Sequence, residues 1–288
     1  MAIDVHIHTR GGEDGGKILK AMDEVGLDRV VLFAPFWEFA LAEKRREPLP
    51  RAAAGDMGSL IAPDAHRRAN DSIARLVAAD PERLIGFAWI EPTMPDASEA
   101  VDYALGEKGL RGVKMIPHHW YPTDERAQAV YARVEQHGKP MLFHTGILWG
   151  VSDTSQHCRP VFYEIMLHYP KIRFAMAHMS WPWTDECFAV CGKFRAAAQG
   201  DPDRQWTSFV DITSGAPRIW KVEALQKALA YLGDQQLMYG SDCSRPEDPE
   251  ALRYRLEEDR SILRDAGASP EAIERILSKN ALRWLGIE

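Results

Sequence analysis

Eight short runs rich in apolar and β-branched residues recur along the chain: AIDVHI, RVVLFA, LIGFAWI, LRGVKMI, KPMLFH, IRFAMAH, WTSFVDI and QQLMYGS. Between them lie helix-length amphipathic stretches such as EDGGKILKAMDEVG, DAHRRANDSIARLVAAD, DERAQAVYARVEQHG and VEALQKALAYLG, several of them closed by a glycine stop signal. Runs that are apolar on both faces and joined by helical crossovers belong to parallel strands buried on each side. Eight such units can close into a (β/α)8 TIM barrel of the α/β class, and 288 residues suit one such domain. A doubly wound open sheet is the competing arrangement. No linker or internal repeat divides the chain, so one domain over residues 1–288 is expected.

The spacing between strands breaks once, after the second run, where an excess at about residues 34–63 includes PFWEFALAEKRREPLPRAAAGDMGSL. It leaves the C-terminal end of that strand, the catalytic face of a barrel, and is expected to cap the site. Charge narrows the partners. A net charge of −7 and no basic run longer than EKRR give no electrostatic footprint for nucleic acid. The chain opens without a basic segment leading into an apolar one, and no window approaches 18 uncharged apolar residues. A cytoplasmic protein without membrane contact is expected. Cys158, Cys187, Cys191 and Cys243 form no CxxC pair and read as free thiols.

Polar residues at the C-terminal ends of the strands are then the candidates for chemistry. His6 and His8 stand one residue apart in DVHIH, so both imidazoles project from one face of the first strand. His144 ends the fifth run in MLFHTG, His178 the sixth in FAMAHMS, and Asp242 the eighth in YGSDC. Three imidazoles and one carboxylate make a set suited to a divalent transition ion with positions left for water and substrate. Zinc is the first expectation from the nitrogen-rich donors and manganese the second. Such an ion can bring the pKa of water to about 7.

With these motifs the chain resembles the amidohydrolase superfamily, and within it the amidohydrolase-related branch that includes aminocarboxymuconate semialdehyde and resorcylate decarboxylases. The resemblance spans the whole chain and rests on DVHIH, GVKMIP, HTG, YPKIRFAMAHMSWPW, YGSDC and ILSKNALRWLGI. It implies one divalent metal ion held by His6, His8, His144 and Asp242. His178 is implied as the residue that holds the metal-bound water or the substrate, and Asp242 as a proton shuttle. In other branches a fourth-strand lysine is carboxylated and bridges two metals; here Lys114 reads instead as a structural or substrate-contacting residue. A homodimer is the assembly the resemblance implies. Asp4 is expected to hydrogen-bond rather than ligate.

For a small-molecule substrate, the expected contacts are Arg245, Trp120, Trp149, Trp181 and His118, with His119 beside the last. Trp37 and Trp183 extend the aromatic group, and Lys44, Arg45, Arg46 and Arg51 lie on the insertion. Tryptophan-rich loops favour a planar or apolar molecule, and a guanidinium suits a carboxylate on it. Two reactions fit one metal site: hydrolysis of a lactone, ester or amide, favoured for the complete water-activating set, and non-oxidative decarboxylation of an aromatic or muconate-like acid. A metal-binding barrel without catalysis is the third reading, disfavoured because a scaffold has no need of an open metal position.

Overall fold

The computed structural model describes residues 2–36, 61–149, 154–199, 201 and 207–287. Eight parallel strands, β1 (Ile3–His8), β2 (Arg29–Phe33), β3 (Leu84–Trp89), β4 (Gly112–Met115), β5 (Met141–Phe143), β6 (Phe174–Met176), β7 (Ser208–Asp211) and β8 (Leu237–Met238), are hydrogen-bonded in sequence order. The two ends of the sheet meet through the Val5 amide, which donates to the Tyr239 carbonyl at 3.1 Å, and through a parallel bridge between Ile7 and Cys243. The sheet is therefore a TIM barrel, and the open-sheet alternative fails on both strand order and closure.

The outer layer comprises α1 (Gly15–Val25), α2 (Ala65–Val77), α3 (Ala97–Val101, continued by a π-helical turn at Asp102–Glu107), α4 (Glu125–His137), α5 (Thr184–Ala197), α6 (Arg218–Tyr231) and α7 (Pro249–Asp265). Local signals set their ends. Asp14 caps α1 by accepting from the Lys17 amide at 3.1 Å, and Gly26 ends it in left-handed backbone; Asp124 and Gly138 do the same for α4. One unit departs from the alternation. Between β5 and β6 the chain runs through 3-10 turns at Ser155–Cys158 and Pro160–His168 rather than an α-helix. The Val161-Phe162-Tyr163 run is weak in helix propensity, and Tyr163 gains burial against the Phe143 ring at 4.5 Å.

Inside the barrel, Ile3, Val5, Val31, Ile85, Phe87, Leu142, Ala175, Phe209 and Met238 form one packed cluster. Two short helices, α8 (Pro270–Glu274) and α9 (Asn280–Leu285), follow α7. Trp284 of α9 packs on Phe87 with ring centroids 5.1 Å apart. Its carbonyl accepts from Arg173, just ahead of β6, so α9 plugs the N-terminal end. The opposite end is left for polar side chains. The four cysteines are free and buried, as expected. No helix is long and apolar enough to cross a membrane among the described residues. The proposed cap lies mostly outside the described residues, as do Trp37, Lys44, Arg45, Arg46 and Arg51.

Candidate metal centre and substrate cavity

Three steps on β1 from Asp4 to Ile7 face only two on β2 from Val30 to Leu32. This β-bulge re-aims the strand where the first histidine stands. The Asp4 carboxylate steadies it, accepting from the His6 amide at 3.0 Å and the Ser241 amide at 2.9 Å, which is the hydrogen-bonding role expected. The backbone after β8 is tied to the same segment. The Asp242 amide donates to the His6 carbonyl at 2.9 Å, and the His8 amide to the Cys243 carbonyl at 2.9 Å. Gly240 makes this approach possible, because a Cβ there would lie 2.7 Å from the His6 Cβ and 2.6 Å from Thr213.

The result is a tight set of donor atoms. Asp242 Oδ1 lies 3.1 Å from His8 Nε2 and 3.4 Å from His6 Nε2, and the two Nε2 atoms are 3.2 Å apart. Nitrogen lone pairs and a carboxylate at such distances repel unless a proton or a cation lies among them, and the spacing suits metal bonds of about 2.0–2.2 Å. The residues present therefore fit a divalent ion. One donor atom each from His6, His178 and Asp242 also fall within 4.8 Å of one another. His144 borders the same space, its ring 4.9 Å from that of His178, with Nε2 3.3 Å from the Ile147 carbonyl. Phe33 packs edge-on against both β1 imidazoles.

β7 contributes what sequence reasoning missed. Asp211 Oδ2 is 2.5 Å from His6 Nδ1, with both side chains fully buried. Burial pushes Asp211 up and His6 down, and a carboxylate oxygen 2.5 Å from a ring nitrogen requires a proton between them. With that proton on Nδ1, the His6 Nε2 lone pair faces Asp242, the tautomer that ligation needs. Two residues further on, the Thr213 hydroxyl lies 2.7 Å from His178 Nδ1, which also reaches the Ser214 carbonyl at 2.8 Å. One short segment thus holds two imidazoles. The signal was present in WTSFVDI, a strand run ending in a carboxylate like the eighth.

The remaining electrostatics follow from burial and neighbours. His178 is lowered to about 4 and His144 well below the usual imidazole range, both chiefly by burial. For Asp242 burial acts upward, but the His8 hydrogen bond and the charges of His178, His8 and Lys114 outweigh it and hold the carboxyl at about 2. Lys114 is buried and brought to about 7 by desolvation against the opposing pull of Asp211 and Asp242. Its Nζ has no hydrogen-bond partner among the described residues and sits 4.7 Å from the Phe33 ring centroid.

Backbone strain marks the same residues. His178, Met179 and Ser180 have φ of 59°, 47° and 55°, and Asp242 has 55°. Left-handed backbone outside glycine costs of order 1–3 kcal/mol per residue and persists where packing over-determines it. Gly146, at φ 90°, lets the β5 loop press on this kink, since a Cβ there would meet the Trp181 carbonyl oxygen at 2.4 Å. Gly146→Ala should therefore destabilise the fold by more than about 1 kcal/mol, read as a melting temperature several degrees lower. An unchanged melting temperature would show that the contact yields freely.

A cavity of about 160 Å³ opens over the donors, lined by His8, His144, His178 and Asp242 on one side and by Ile116, Ile147, Leu148, Trp149 and Trp181 on the other, with Gly215. Of the expected substrate contacts, Trp149 and Trp181 are in this wall, stacked 6.3 Å apart. Arg245 is not; its side chain is 70% exposed and pairs with Asp248 at 3.0 Å. His118 and Trp120 are buried against Glu91 and do not line the cavity either. They lie on the catalytic side, as the strand order required, but turn into the loop packing.

The sequence matches the amidohydrolase family model over residues 3–287. The chain belongs to this amidohydrolase family. Among solved structures, the amidohydrolase is similar to 2,6-dihydroxybenzoate decarboxylase from Rhizobium, with TM-score 0.66 and 15% identity over 99% of this chain and 98% of that one. It is also similar to 5-carboxyvanillate decarboxylase from Novosphingobium aromaticivorans in complex with manganese, with TM-score 0.64 and 15% identity over 99% and 96%. A probable 2-pyrone-4,6-dicarboxylic acid hydrolase from Acinetobacter baumannii gives TM-score 0.61 and 13% identity over 99% of each chain. No curated protein matches the sequence. At these identities the neighbours establish the shared fold.

Proposed function

We propose that this amidohydrolase is a metal-dependent, non-oxidative decarboxylase of a small single-ring aromatic acid. The observation that carries the reading is the cavity wall. Opposite the donor atoms it is apolar and aromatic, and no lysine or arginine stands among its described lining residues. A substrate with one carboxylate can direct it to a cation held by His6, His8 and Asp242. A dicarboxylate, as in the name of the pyrone hydrolase neighbour, would leave its second charge against indole rings, at a desolvation cost that none of the described lining residues offsets. Size agrees, since an apolar cavity of about 150 Å³ takes up benzene. The decarboxylase neighbours support this reading over the hydrolysis that the sequence alone favoured.

A bound divalent ion would supply Lewis-acid stabilisation of the substrate carboxylate and an adjacent ring oxygen. The protein supplies position and the proton. Decarboxylation breaks the bond from ring carbon to carboxylate, leaves its electron pair on that carbon, and forms a C–H bond as CO2 departs. Asp242 Oδ and His178 Nε2, both unprotonated at rest, are the acceptors through which a solvent proton is relayed to that carbon. The Asp242 side chain is 28% exposed and so exchanges with solvent, while Thr213 and Ser214 fix His178 through Nδ1. His144 completes the polar rim and is the fourth proposed ligand. The indoles of Trp149 and Trp181 offer flat surfaces for a ring. Incubating metal-loaded protein with hydroxybenzoates, and with lactones and pyrones of the same size, tests this. CO2 release from the acids is expected; ring opening of the lactones with no CO2 from any acid would reverse the assignment.

A further inference from the structure

The aromatic side of the cavity continues behind its wall. Trp181 lines the cavity, and its indole stacks on Trp149 at 6.3 Å with the planes 15° apart and on Trp220 at 5.5 Å with the planes 30° apart. Both separations fall in the range of about 4.5–7 Å preferred by aromatic pairs. Trp220 is the third residue of α6 and does not itself line the cavity. Its neighbours fix where it stands. Buried Lys221 pairs with buried Asp259 of α7, and Arg218 pairs with Asp265 of the same helix, so the first turn of α6 is tied to α7 on both sides of Trp220 in sequence. The Trp181 backbone is pinned as well, since its amide donates to the His178 carbonyl and its carbonyl accepts from the Ile147 amide, each at 3.0 Å.

We infer that Trp220, from outside the cavity, is a positioning residue that braces the Trp181 indole as a flat wall and so makes the cavity select planar rings over puckered ones. This rests on the reading of the cavity as a site for a single aromatic ring, not on the reaction proposed there. The two indoles that flank Trp181 differ in support. Trp149 is 67% exposed, and the described aromatic ring it stacks on is Trp181 alone, whereas Trp220 stands on a helix turn held by two ion pairs. Trp220 is 50% exposed, so its removal opens no core cavity, and the aromatic contact it gives up is the one with Trp181. Without that contact Trp181 keeps its backbone but regains rotamer freedom, which a bound ring must then remove. A planar ring can lie flat on a fixed indole over its whole face, and a puckered ring of the same size cannot. Trp181 follows the strained residues His178, Met179 and Ser180 directly, so the brace also sets this wall relative to the His178 imidazole.

Calorimetric titration of the metal-loaded full chain with benzoate and with cyclohexanecarboxylate tests it, because each carries one carboxylate on a six-membered ring and neither has to turn over. The wild type should bind benzoate more tightly. Trp220→Ala should weaken benzoate by about threefold to tenfold, the effect of one side chain that has to be immobilised on binding, while changing cyclohexanecarboxylate by less than about twofold and leaving metal content as it was. Trp220→Phe, which keeps a ring against Trp181, should restore most of the loss, and Trp220→Leu, which keeps apolar bulk without a ring, should not. Unchanged benzoate affinity in Trp220→Ala or Trp220→Leu would overturn the inference. So would equal weakening of both acids, the mark of a general loss of structure, or a wild type that binds the two alike. Should Trp220→Ala fail to fold, the difference between the Leu and Phe variants decides by the same criterion. CO2 release plays no part in this measurement, so failure of the decarboxylase reading would leave its result standing.

Discussion

His178→Asn should keep its metal and lose turnover by about 10²-fold or more, the range for a positioned acid–base group. Asparagine is chosen for the backbone. His178 has φ 59°, and asparagine tolerates the left-handed region better than most residues, so the substitution removes the imidazole with little added strain. The donors of His6, His8 and Asp242 remain within 3.1–3.4 Å of one another. Metal content and kcat, measured on the same preparation, separate the outcomes. Near wild-type turnover would make His178 a bystander, and loss of the ion would make it a ligand.

Asp211→Asn should weaken metal binding by about 10- to 100-fold, the usual effect of removing the carboxylate behind a ligating histidine. The substitution keeps the volume and reverses the hydrogen bond. An amide nitrogen placed 2.5 Å from His6 Nδ1, where the carboxylate now stands, donates to that atom and favours the N–H on Nε2. The lone pair aimed at the ion is lost. The Thr213 amide, 2.8 Å from Asp211 Oδ1, can still be accepted by the amide oxygen, so the β7 segment should stay in place. Competition with a chromophoric chelator measures the affinity. An unchanged dissociation constant would reduce the contact to packing.

These two residues illustrate how far the sequence could be read. The barrel was legible because its eight runs are apolar on both faces, a pattern that only strands covered on each side tolerate. His6, His8, His178 and Asp242 were legible as strand-end polar residues, and the structure brings them together. Asp211 ends its strand in the same way, but an aspartate after SFV offers no spacing motif, and its importance comes from a contact with a residue 205 positions away. Trp220 went unread for a similar reason: its partner, Trp181, follows β6, a full βα unit earlier in the chain. Arg245 shows the opposite error. Proximity in sequence to Asp242 suggested a substrate contact, whereas Asp248, three residues on, draws the guanidinium outward. The 3-10 connection between β5 and β6 was masked by its apolar content, which periodicity alone cannot tell from a helix.

The most direct test of decarboxylation is the origin of the new bond. The first acid found to turn over should be run in ²H2O and, separately, in ¹⁸O-labelled water, with the product examined by mass spectrometry and proton NMR. One deuteron on the ring carbon that lost CO2, with no ¹⁸O in the product, is the expected result. Incorporation of one ¹⁸O, with no deuterium on carbon, would contradict it and restore hydrolysis.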